Sequence, residues 1–147
     1  MKNLMKTRKR SSKKELPLNL IRDYKYIFDF DRKQIIAVRD LMKWAEWMHS
    51  NERWVAQTFF KQFGNSNLIF VSTVFLGLDH NLSDSSFPVL FETMIFGCET
   101  YNDYQDRYIA YTDAVKGHLR CVNDIVNLCD YHCPQAGFKL YSHRIRL

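Results

Sequence analysis

Five polar side chains fall within or beside the most apolar stretches of the chain: Asp79, His80, Glu92, Arg107 and His118. Two imidazoles and two carboxylates suffice for a metal site, or for general acid and base work on a bound substrate. The catalytic candidates are therefore Asp79, His80, Glu92 and His118, and a metal-dependent hydrolase or nuclease is the reaction class they would suit. Each also has a structural reading. Asp79 can close a turn on backbone N–H groups. Glu92 and Arg107 can form a half-buried ion pair, because a carboxylate beside Met94 and Phe96 needs a partner to stay charged. His118 can sit in the core, bonded to a carbonyl. The chain has no P-loop, no G-x-G-x-x-G, no H-E-x-x-H and no G-x-S-x-G, which favours the structural readings. Five glycines leave little for a phosphate-cradling loop.

A second set of ligand-type residues, Cys121, Cys129, His132 and Cys133, lies near the C-terminus. It lacks the paired C-x-x-C knuckles of structural zinc sites, and the spacing puts Cys121 and Cys129 on one helix. Cys129, His132 and Cys133 are thus weak metal candidates. Reduced, buried or idle thiols are the expectation for a chain with no export signal. No cofactor is expected.

The elements that must position these residues are organised around Ile69 to Gly97, two apolar β-rich runs joined by a polar turn at residues 81–86. If the turn centres near Asp84, Leu76 faces Glu92, which shares a side with Leu90, Met94 and Phe96. Neither strand alternates cleanly, so both faces of the sheet are expected to be covered. Upstream, YKYIFDF (residues 24–30) alternates as a short strand. Asp31 with Gln34 then fits a capping box opening a helix over 32–49, with Ile35, Val38, Met42 and Ala45 at helical spacing. Trp44 and Trp47 on that helix read as core. Residues 54–61 resume β composition, and 107–111 suggest a short fourth strand. A second helix is expected over 112–129, capped by Thr112, with Val115, Leu119, Val122 and Val126 as its apolar stripe. The predicted fold is α+β, a three- or four-stranded antiparallel meander around the 69–97 hairpin, packed by two helices. It spans residues 15–133, between a basic arm (1–14) and an irregular basic tail (134–147).

At 147 residues, 46% apolar and 15% aromatic, the chain suffices for one core. Its mean hydropathy of −0.35, without an apolar run of membrane-spanning length, argues against a transmembrane helix. A host cell cytoplasm is the expected location. Of the net charge of +5, seven positive charges lie in residues 1–14, so the remaining residues carry −2. Lys6, Arg8, Lys9, Arg10, Lys13 and Lys14 in that arm are candidate nucleic-acid contacts, and the arm is too polar and too charged to pack by itself.

The run STVFLGLDH (72–80), then LFETMIFG (90–97), RY (107–108) and A-x-x-x-G-H (114–118) resembles a family of small proteins encoded in bacteriophages and prophages. The resemblance reaches from Trp44 to His118 and excludes the basic arm and the CDYHC segment. Relatives tend to carry a Gly- and Pro-rich turn where this chain has residues 81–87. The resemblance implies a phage setting and brings no activity with it. The resulting expectation is an accessory protein that binds a host or phage macromolecule, of host-takeover or anti-defence type, with a protein partner. Nucleic-acid binding through the arm and metal-dependent hydrolysis are the alternatives.

Overall fold

The computed structural model describes residues 25–62, 67–81, 87–132 and 138–146. The basic arm, with Lys6, Arg8, Lys9, Arg10, Lys13 and Lys14, lies outside the described residues, as do the side chains of Cys129, His132 and Cys133. The architecture is α+β. A hairpin of β1 (Tyr26–Asp29) and β2 (Gln34–Ala37) leads into α1 (Leu41–Ser50). The meander β3 (Trp54–Gln62), β4 (Leu68–Phe75), β5 (Phe91–Phe96) and β6 (Gln105–Tyr108) follows, then α2 (Tyr111–His132) and β7 (Phe138–Ile145). Five antiparallel strands form one sheet in the order β6-β5-β4-β3-β7. No described helix is long and apolar enough to cross a membrane.

Two segments differ from the sequence expectation. The helix expected from Arg32 starts only at Leu41, because residues 32–37 turn back as β2. The N–H groups of Asp31 and Arg32 bond to Oδ1 of Asp29, each at 3.0 Å, and Lys33 takes a left-handed φ of 54° to close the turn. Two adjacent β-branched residues, Ile35 and Ile36, then pair with Phe28 and Ile27. Asp40, not Asp31, caps the helix, its Oδ1 accepting from Met42 and Lys43 N–H. The second difference is the basic tail. Residues 138–145 form β7 on the free edge of β3, with Tyr141 as the extra residue of a bulge.

Helix α1 buries none of its residues, and Leu41 and Met42 are exposed. Its two tryptophans anchor it. Trp44 Nε1 donates to the Gly77 carbonyl at 3.0 Å, and the Trp47 ring meets Phe75 edge-on at 5.7 Å. The same carbonyl accepts the Tyr26 N–H at 2.8 Å. Gly77 has φ +76°, and a side chain there would run into Met48, so this backbone position joins hairpin, helix and sheet.

Helix α2 lies across one face of the sheet. Its buried positions are Ala114, Gly117, His118, Cys121 and Ile125. Leu119 and Val126, on the stripe expected to face the core, are exposed. The true stripe is rotated by one residue, about 100°, because small residues let the helix approach the sheet closely. At Gly117 the Cα rests against the Tyr108 ring. Helix propensity alone would make Gly117→Ala stabilising by about 1 kcal/mol. A Cβ there would overlap Oη and Cζ of Tyr108, a buried, rigid ring. The expected outcome is therefore a net loss of about 1–3 kcal/mol, read from urea midpoints. A gain in stability would show that Tyr108 moves aside freely.

Candidate functional site

The structure separates the four catalytic candidates into three places. In the central hairpin Glu92 stands opposite Val74, two residues from the expected register with Leu76. A two-residue shift keeps each side chain on the same side of the sheet. Arg107 Nε donates to Glu92 Oε2 at 2.8 Å, and Gln105 Nε2 donates to the same oxygen at 2.7 Å. His118 lies across the sheet from that pair. Its contacts are with Thr73, which also meets Thr93, and successive residues of a strand point to opposite faces. The sheet itself therefore stands between Glu92 and His118. Asp79 and His80 follow β4. Oδ1 of Asp79 accepts from the N–H groups of Asn81 and Val89 at 2.8 and 2.9 Å, and the His80 N–H bonds to the Val89 carbonyl. Together they clamp the base of the hairpin loop. Among the described residues, no three of His, Cys, Asp and Glu gather as a metal-binding group. Cys121 is buried among Phe60, Ile69, Ile95 and Ile125, where burial raises its thiol pKa.

What surrounds His118 is a row of hydroxyls. Oγ1 of Thr58 lies 2.6 Å from Nδ1 of His143 and 2.8 Å from Nε2 of His118. Nδ1 of His118 lies 2.8 Å from Oγ1 of Thr73, which is 2.7 Å from Oγ1 of Thr93. This polar row crosses β7, β3, β4 and β5 beneath α2. His118 is fully buried, and its pKa is lowered to about 4, first by desolvation and second by the His143 charge. It is neutral at pH 7, with one N–H and one bare nitrogen. Whenever Nδ1 of the exposed His143 is bare, Thr58 must donate to it. His118 must then donate through Nε2, and Thr73 to its Nδ1. The tautomer of a buried imidazole is thus set from the surface.

The other face of the sheet carries no described helix. Register places Phe96, Phe70 and Phe59 in one row across three strands. The Phe59 and Phe70 rings stack at 4.3 Å and 8°, and Phe70 and Phe96 at 5.9 Å and 23°. Phe96 and Leu68, at one end of this face, are 46% and 49% exposed. The adjacent row is Leu68, Lys61 and Lys139. On the other side of the aromatic row run Met94, Ser72, Gln57 and Arg144, whose guanidinium bonds to Gln57 Oε1 at 2.5 Å and lies over Trp54.

Beside the hairpin, Ile27, Asp29, Phe30, Trp47, Glu52 and Arg146 line a cleft of about 390 Å³. Two of its charged side chains are engaged. Asp29 holds the β1–β2 turn, and Arg146 stacks over Phe30 and Trp54 while bonding to the Glu52 carbonyl.

The chain matches no protein-family model, no curated protein and no solved structure.

The sequence reading did not single out Thr58, Thr73, Thr93 and His143, nor Phe59 and Phe70. The threonines had one visible signal, each being a hydroxyl inside an otherwise apolar strand. The phenylalanines had none, because only the register of three strands aligns them.

Proposed function

We propose that the protein acts by binding rather than by catalysis, as an accessory protein that docks a macromolecule on the face of its five-stranded sheet that no described helix covers. The observation that carries this reading is the Phe96–Phe70–Phe59 row, apolar and partly exposed at its open end. The placement of Glu92 and His118 on opposite sides of the sheet weighs against the hydrolase or nuclease alternative. The resemblance to phage and prophage proteins adds a setting, a host-takeover or anti-defence role in the host cell cytoplasm.

The test compares two charge insertions in the tagged full chain. Phe70→Glu places a carboxylate in the aromatic row, and Leu119→Glu places one on the exposed side of α2. Material that co-purifies with the chain from its host, nucleic acid read by absorbance and protein by gel, should be lost with Phe70→Glu and retained with Leu119→Glu. Equal recovery with both variants, or nothing recovered with the unaltered chain, would dismiss the proposal.

A further inference from the structure

We infer that the occupant of the open face is single-stranded nucleic acid, with bases extending the Phe59–Phe70–Phe96 stack and phosphates running along Lys61 and Lys139. This inference rests on the reading of that face as the binding surface. Charge is the first argument. Among the residues that strand pairing puts on this side, Lys61, Lys139, Arg107 and Arg144 are cations and Glu92 is the one carboxylate, already held by Arg107 and Gln105. That excess suits a polyanion.

The aromatic row is the second argument. Two of its rings are within 8° of parallel, and the row ends at Phe96. Strand β6 stops at Gln105, opposite Met94, so no β6 residue stands across from Phe96. The half-exposed Phe96 is where a base would add to the stack. Every base has a π-face, so such a platform binds with little regard to sequence. A duplex keeps those faces covered, which makes the single strand the fitting form. Same-side positions along a strand are about 7 Å apart and neighbouring strands about 4.8 Å apart, so Lys61 lies one nucleotide from Phe59 and about 12 Å, or two nucleotides, from Phe96.

The test is fluorescence polarisation with the full chain and labelled oligo-dT, oligo-rU and a blunt duplex at two salt concentrations. Single strands should bind more tightly than the duplex, and comparison of the two sugars separates DNA from RNA as the source. Phe96→Ala should weaken single-strand binding by about tenfold and reduce the preference over duplex. Lys61→Glu with Lys139→Glu should weaken binding and flatten its salt dependence. Arg8→Gln, Lys9→Gln and Arg10→Gln together should weaken single strand and duplex alike. Unchanged affinity in Phe96→Ala, with binding abolished by the arm substitutions, would overturn the inference and move the contact to the arm. Absence of binding to either single strand at low salt would also overturn it. In that case, loss of a co-purifying protein by Phe70→Glu would keep the open face as the binding surface, whereas no loss would remove both.

Discussion

Acidification from pH 7 to pH 4 should cost the fold about 3 kcal/mol through His118 alone. The group's ordinary value is 6.5, and burial, with the His143 charge second, lowers it to about 4. Below 6.5 the unfolded chain takes up a proton at this position that the folded chain refuses. Stability from this source is therefore complete above pH 6.5, declines as pH falls toward 4, and is level below that. Protonation would also turn the Thr73 contact round, because His118⁺ donates from both ring nitrogens and Thr73, until then the donor to Nδ1, must accept. Urea midpoints at pH 7, 5.5 and 4 for the chain and for His118→Gln isolate the effect. The variant should be less stable at pH 7 and should lose less on acidification. Identical pH slopes for the two proteins would show that His118 titrates normally.

Phe28→Ala should destabilise the protein by about 3–5 kcal/mol. Phe28 is only 2% exposed, and its ring meets Phe30, Phe75, Phe91 and Tyr111 at centroid distances of 4.8 to 5.5 Å. Those partners belong to the β1–β2 turn, to β4 and β5, and to the first turn of α2. One side chain therefore ties the small hairpin to the sheet and to the helix. Two-stranded hairpins are marginal without such packing. Amide exchange should accelerate throughout β1 and β2 in the variant, together with a lower urea midpoint. A loss below about 1 kcal/mol, with hairpin exchange unchanged, would mean that backbone bonds such as Tyr26 to Gly77 suffice to hold it.

The central hairpin, the meander and α2 were legible in the sequence because their evidence is local. β-Branched runs flank a polar turn, and an apolar period of 3.6 continues to about residue 129. The β1–β2 hairpin was hidden because Ile35, Val38, Met42 and Ala45 happen to fall at helical spacing. A four-residue turn built on Asp29 overrode that pattern. The orientation of α2 was missed for a related reason. Apolarity favoured Val115 and Leu119, whereas close packing against Tyr108 selected Gly117 and its neighbours Ala114 and His118. Strand β7 was missed because its stretch of alternating charge and aromatics acquires meaning only beside β3. Of the candidate site residues, Glu92 and Arg107 were paired correctly by charge and burial. The sidedness that separates Glu92 from His118 required the three-dimensional placement of a helix, which no spacing rule supplies.

Strand β7 also bears on how the fold is completed during synthesis. The meander from β3 to β6 can zip up between neighbours as it emerges from the ribosome. The outer edge of β3 cannot be paired until a segment made 85 residues later arrives, as the contact between Thr58 and His143 shows. Lys33, at the tip of the first hairpin, waits 113 residues for the Arg146 carbonyl. Until then β3 is an open template for another strand. Closing it is the most non-local step of folding and depends on chain closure over the whole domain. The last strand thus serves as a latch, and a nascent chain halted before residue 138 presents the unsealed edge of β3 to its surroundings.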